Sequence, residues 1–276
     1  MSVDAGMLSI VAPALVAGAL VIATHVPLGA QVLARGIVFI DLAIAQIAGC
    51  GVLLADALGF EPEGLAVQVA ALGSALLGAL LLTWTERRWP DVQEAIIGVV
   101  FVMAATAGVL FLASNVHGSE HLRDLLVGQI LWVRPITLAV VAVVYAVILW
   151  VWLRWQGRIG RAGFYLLFAC VVTISVQLVG VYLVFASLIV PPLATRRIAQ
   201  RRRAAAWALG LAGYVVGIAV SVTLDWPTGP LIVWALAALG VLVWAWSARR
   251  LHQDPGSLAS AHASSIPRSR SGSAKS

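Results

Sequence analysis

The sequence predicts an all-α protein, a polytopic membrane helical bundle of eight or nine transmembrane helices. Three observations carry that prediction. Hydrophobic residues make up 61% of the chain and charged residues only 11%, whereas soluble domains carry about 25% charge. The mean hydropathy is +0.98. Apolar runs of about 20 residues, the length that crosses roughly 30 Å of hydrocarbon, recur along the chain.

Taken in order, the spans lie near 7–24, 36–59, 64–84, 93–113, 136–153, 205–224 and 229–247. The stretch 163–195 lies between two arginine clusters. It holds either two short crossings that break near Gly180 or one crossing and a re-entrant piece. Small residues are frequent, with 25 glycines. In lipid they let helix backbones approach closely, so the bundle is expected to be tight.

Arginine placement gives the orientation, because positive charge is retained on the cytoplasmic side. With nine spans and the N-terminus outside, Arg35, Arg87, Arg88, Arg154, Arg158, Arg161, the cluster Arg196 to Arg203 and the C-terminal tail fall inside. Only Arg123 and Arg134 fall outside, with the acidic Glu61-Pro62-Glu63 loop and the hairpin at Asp225. The first apolar run has no basic residue before it, so it does not read as a signal peptide. Residues 1–250 form the transmembrane domain. The Ser-rich tail, 251–276, has too little apolar area to fold and reads as disordered and cytoplasmic. The chain is expected in a bacterial cytoplasmic (inner) membrane, in contact with lipid and not with nucleic acid.

Lys275 is the only lysine and lies in that tail. A P-loop needs a lysine after its glycines, so this chain does not hydrolyse a nucleotide by that route. It is not read as an enzyme, and any ATPase is another chain. Cys50 and Cys170 sit in apolar runs without metal-ligand spacing and read as small buried hydrophobes.

Asp41 is the most informative residue. It sits in the apolar run RGIVFIDLAIAQIAGCG, and a carboxylate at mid-membrane costs about 2.5–3.5 kcal/mol on insertion scales. It should therefore face a cavity or a partner. On a helix it shares a face with Ala45, Ala48 and Gly49. Two readings stand: a structural pair with a polar group on another span, or a lining residue of a cation path. Gln46 lies about 140° round the helix from Asp41. Gln177, near Thr173 and Ser175, is the other intramembrane amide. Each amide reads as an interhelical hydrogen-bonding group or, more weakly, as a metal ligand.

His117-Gly-Ser-Glu120-His121 has the H-x-x-E-H order of one zinc-protease class. Gly118 and the short loop argue against catalysis. A solvated loop is the default and weak cation capture the alternative. His25, before Pro27 and Gly29, reads as an interfacial turn residue at a span end. The segment RRIAQRRR, with Arg196, Arg197 and Arg201, is a positive-inside anchor and a candidate docking surface for a cytoplasmic partner. Pro191 and Pro192 precede it and disfavour continuation of the helix there.

Four ordered segments, PLGAQVLARGIVFIDLAIAQIAG, EAIIGVVFVMAATAGVLFL, VGVYLVFASLIVPPLATRRIA and DWPTGPLIVWALAALG, together resemble the zinc/manganese permease family of ABC importers. DLLVGQILWV adds a weaker fifth match. The matches cover most of residues 10–247. The resemblance implies a membrane subunit whose two copies form a pathway, driven by a cytoplasmic ABC ATPase and fed by an extracytoplasmic metal-binding protein. It implies no covalently bound cofactor and a transported divalent ion, zinc or manganese, with iron as a third option. The family's spanning aspartate maps onto Asp41. Its hairpin aspartate maps onto Asp225, with Pro227 and Gly229 completing the hairpin.

Two departures matter. Most members place a histidine four residues after the aspartate, where this chain has Ala45. Loss of the imidazole leaves an oxygen ligand and weakens a zinc preference. The family's longer acidic cytoplasmic segment is replaced here by the short basic RWQGRIGRAG, so coupling to the ATPase should rest more on residues 190–203 or on a different ATPase surface. The rival readings are a stand-alone carrier or channel and a non-transport membrane scaffold. The first needs ionisable groups of its own in the spans, and the second predicts no effect of replacing Asp41 on cellular metal.

Overall fold

The computed structural model describes residues 5–61, 64–112, 130–155, 158–198 and 201–253. Among them are nine α-helices and no strand. The helices are α1 (Ala5–Arg35), α2 (Ile40–Ala57), α3 (Leu65–Arg88), α4 (Gln93–Leu112), α5 (Pro135–Trp155), α6 (Arg161–Val179), α7 (Val181–Ala194), α8 (Arg202–Leu224) and α9 (Thr228–Gln253). Eight of these are long and apolar enough to span a membrane, and α7 is a shorter apolar helix. The His117–His121 motif and residues 254–276 of the tail lie outside the described residues.

The burial pattern is that of a bundle in lipid. Leu65, Leu77 and Trp234 are more than two-thirds exposed, while Thr173, Ser175, Ser187 and Asp41 are buried. Lipid solvates the apolar outer faces, and polar groups turn inward to find partners. The Ser187 hydroxyl meets the Tyr214 hydroxyl at 2.9 Å and joins α7 to α8. Edge-to-face tryptophan pairs, Trp84 with Trp89 and Trp150 with Trp155, sit at the ends of α3 and α5, the place where amphipathic rings favour the membrane boundary. Helix α2 packs on α3 and α4, α1 on α7 and α8, and α9 on α8 and α7.

The stretch 163–195 resolves into two helices that break at Gly180. Gly180 has φ 83° and its N–H still bonds to Val176 O at 2.8 Å. Only glycine adopts that backbone cheaply.

Helix α1 corrects two expectations. It runs on through Pro27 to Arg35 instead of ending near residue 24. His25 is therefore not an interfacial turn residue. It is fully buried within the helix, with Nδ1 2.9 Å from Val21 O. The physical reason lies in the contact with α7. A Cβ on Gly29 would stand 1.9 Å from Leu188 O, so glycine permits a very close helix approach there. Leu188 O is also the carbonyl that Pro192, lacking an N–H, leaves without its helical donor. The prolines likewise do not end α7 at once. Both are buried inside it, and the helix stops after Ala194. In lipid a tightly packed neighbour sustains a proline-containing helix that sequence alone marks as broken.

Candidate functional site

The α1–α2 connection turns tightly at Gly36, whose φ is 70°. Ile37 N–H bonds back to Val32 O at 3.3 Å, and α2 begins at Ile40. Asp41 thus lies in the first turn of α2, close to its N-terminal end and not at mid-span. It is 1% exposed. Neither carboxylate oxygen has a partner in hydrogen-bonding geometry, and the positive end of the helix dipole offers only partial compensation. Ala45 and Ala48, on the same face, are buried as well. The structural pair with an arginine or polar side chain, one of the two readings of Asp41, is not present among the described residues.

A second acid sits nearby. Glu94 belongs to the first turn of α4, and its Oε1 accepts the Phe39 N–H at 3.2 Å. It caps α2 from another helix. Its Oε2 is buried and unpartnered. Phe39 lies two residues before Asp41, so the two acids stand at the same end of α2. The start of α4 is held by the neighbouring Gln93, whose Nε2 donates to Leu82 O at 3.0 Å while Oε1 accepts from the Thr85 hydroxyl at 3.0 Å. Those bonds tie α4 to the end of α3 and aim Glu94 at α2. Sequence reasoning quoted this acid within a motif but gave it no role. Its signal is a carboxylate at the mouth of an apolar run, with Asp91 three residues before it.

Gln46 points away from Asp41, as the helical period requires. With Leu42 it lines a groove of about 620 Å³ completed by Phe101 of α4, Tyr182 and Phe185 of α7, and Trp234 of α9. Residues 94, 98, 101 and 105 share one face of α4, so Glu94 stands on the face that Phe101 and Ala105 present to the groove. Phe39, beside Glu94, stacks on Phe185 with ring centroids 6.4 Å apart. Gln177 is not in this groove. It is exposed on α6, three residues before Gly180. His25 is a further buried polar group, with Nε2 unpartnered, but its helix packs mainly on α7 and α8. No cluster of three or more metal-ligating side chains occurs among the described residues.

The hairpin at Asp225 is built locally. Asp225 closes α8 in the left-handed conformation, φ 55°. The Ser221 hydroxyl donates to Trp226 O at 2.7 Å and meets the Thr228 hydroxyl at 2.6 Å. Pro227 precedes α9, and Gly229 lies buried in its first turn. Asp225 itself is exposed. At the other end, Arg196, Arg197 and Arg201 are exposed on the turn between α7 and α8. Arg161 lies 3.7 Å from Glu86, so that basic residue is partly engaged within the chain.

The family assignment follows from the sequence match. The model of the ABC 3 transport family matches residues 7–159 and 156–247. The chain belongs to that family. This ABC 3 protein is a multi-pass permease subunit of a metal-ion ABC importer, a transport component that works with an ATPase and a substrate-binding protein. Its fold is similar to the solved structure "PsaBC from Streptococcus pneumoniae in complex with Fab", with a TM-score of 0.68 at 20% identity over 84% of this chain and 90% of that one.

Proposed function

We propose that this ABC 3 permease carries a divalent cation past Asp41 and Glu94, and that manganese suits its path better than zinc. The single observation that supports the reading is the unpartnered, buried Asp41 carboxylate. A buried charge without a partner is costly, and a bundle retains one where an ion offsets it transiently. Two carboxylates without imidazole or thiolate form a hard oxygen set, the kind that favours manganese. Weak binding there fits transport, since an ion held tightly cannot leave.

The groove at Gln46 is open on one side, which supports a pathway completed by a second copy of the chain. Arg196, Arg197 and Arg201, on the turn that follows Pro191 and Pro192, supply a surface for the ATPase. The cytoplasmic C-terminus and the inner-membrane location belong to the same reading.

The test is ATP-dependent uptake in proteoliposomes holding this chain, its ATPase and its binding protein. Zinc, manganese and iron(II) are offered in parallel, to the wild type and to Asp41→Asn. Manganese uptake that is abolished by the substitution is the expected result. Uptake untouched by Asp41→Asn removes Asp41 from the path. No uptake of any of the three ions, with ATP still hydrolysed by an intact complex, overturns the metal reading.

A further inference from the structure

Glu86 is a further acid at the end of the bundle that carries Asp41 and Glu94. It lies in the last turn of α3, and its side chain is 12% exposed. Its Oε2 is buried and unpartnered, as are both oxygens of Asp41 and one of Glu94. Two observations place it level with them. A Cβ on Gly78 would meet Ile47, and one on Gly51 would meet Ser74. Stepping on by four residues along both antiparallel helices sets Ala43 beside Leu82 and Phe39 beside Glu86. Phe39 is the residue whose N–H Glu94 binds. Independently, the Thr85 hydroxyl donates to Gln93 Oε1, so Glu86 and Glu94 each follow one partner of a bond that ties α3 to α4.

Glu86 and Asp41 also turn toward one neighbour. On α2, Ile47 and Gly51 meet α3, and Cys50 and Leu53 meet α4. The Asp41 face is left to α6 and α7, which also pack on α2. Glu86 reaches the start of α6, where the Arg161 Nε stands 3.7 Å from its Oε1. That is an ion pair too long for a hydrogen bond. Arg161 is 57% exposed, so water competes for it and the pair is held loosely. A tethered guanidinium thus sits at one oxygen of Glu86 and leaves the buried oxygen free. Burying that second oxygen without a partner gains nothing for a pair that only ties α3 to α6.

We infer that Glu86 is the cation's last ligand in the protein before release, and that Arg161 is a tethered cation competing with the ion for it. The inference rests on the transport reading and adds to it a residue and a step. An ion leaving Asp41 displaces the Arg161 guanidinium from Glu86, because a double charge outcompetes a loosely held single one. The guanidinium then returns and the ion passes to water. Each exchange replaces one positive charge on Glu86 by another, so release never leaves a bare carboxylate to recapture the ion.

The experiment measures manganese uptake in proteoliposomes of the full complex, with ATP confined to the lumen and free manganese also set there, on the side of release. Lumenal manganese reoccupies a release site and inhibits uptake. In Glu86→Gln, maximal uptake should fall about fivefold at an unchanged half-saturating external concentration, and lumenal inhibition should weaken by a similar factor. In Arg161→Gln, which removes the competitor, lumenal inhibition should strengthen by about threefold. Glu86→Asp keeps the charge and should keep most of the inhibition. A structural pair moves Glu86→Gln and Arg161→Gln the same way: both unfold at a lower temperature, and neither shifts lumenal inhibition per folded molecule. That result overturns the inference. So does lumenal inhibition in Arg161→Gln no stronger than in wild type, which is decisive even where Glu86→Gln does not fold. Asp41→Asn in the same preparation separates this inference from the reading beneath it. Uptake abolished by Asp41→Asn, with lumenal inhibition unchanged in Glu86→Gln, removes the release residue alone. Absence of wild-type uptake, or uptake untouched by Asp41→Asn, overturns the transport reading and this inference with it.

Discussion

Asp41 and Asp225 are both acids that the family resemblance singles out, and they occupy opposite physical situations. Asp225 is exposed, ends a helix in the left-handed conformation, and stands beside a hydroxyl pair that closes the hairpin locally. Asp41 is buried with both oxygens unpartnered, next to a second acid brought from another helix. The first is explained by its turn. The second costs stability where it stands, with only the N-terminal end of its helix in partial return. A residue whose local physics is fully satisfied needs no ligand to explain it, whereas one that is unsatisfied does.

The sharpest way to break this comparison is Asp41→Asn. Transport should fall by at least about tenfold, the effect of losing roughly 1.4 kcal/mol of attraction for the ion. Thermal stability in detergent should hold or rise by up to about 2 kcal/mol, because a neutral amide is cheaper to bury than an unpaired carboxylate. Parallel loss of both transport and stability would return Asp41 to a structural role. Gly29→Ala should act in the opposite sense. Its Cβ would stand 1.9 Å from Leu188 O, so α1 and α7 must separate. A loss of about 1–3 kcal/mol is expected from overpacking, read as a lower unfolding temperature whatever ion is present.

Glu94 sharpens the comparison because it does both jobs. Glu94→Gln keeps an oxygen that accepts the Phe39 N–H and removes the charge. Manganese uptake should fall several-fold with stability unchanged. Glu94→Ala also removes the cap and should cost about 1 kcal/mol more. If the two variants transport alike and differ only in stability, the charge and not the cap carries the transport effect. If Glu94→Gln transports like wild type, Glu94 is a cap alone.

The same contrast explains what was legible in the sequence. Local rules succeeded where the chain answers to itself. The break at Gly180 followed from a glycine between two short apolar runs, and the turning of Gln46 away from Asp41 followed from the helical period. They failed where a distant segment decides. His25 looked like a turn residue because Pro27 and Gly29 follow it, yet α7 packs against Gly29 and the helix continues. Pro191 and Pro192 looked like a stop and sit inside α7. Glu94 was visible as an acid, but its cap on α2 joins residues 55 positions apart, and no periodicity reports such a meeting. The depth of Asp41 was misjudged for a related reason. The apolar run around it is continuous in sequence, and only the tight turn at Gly36 shows that α2 begins just before it.

The smallest effect is expected at the hairpin. Asp225→Asn keeps a residue type that tolerates the left-handed conformation, and the Ser221–Thr228 contact does not involve the carboxylate. Stability should change by no more than about 0.5 kcal/mol, and uptake with the permease and ATPase in excess of binding protein should stay near wild type. Asp225→Val forces a β-branched side chain into φ 55° and should cost about 1–2 kcal/mol, again with little change in uptake per folded molecule. A large uptake defect in Asp225→Asn at unchanged stability would mean that the exposed carboxylate meets something outside this chain. The extracytoplasmic binding protein is then the nearest candidate, and titrating it against wild type and variant separates weaker docking from a slower permease. Docking that is weakened shows as a defect overcome at high binding-protein concentration, and a slower permease as one that persists at saturation.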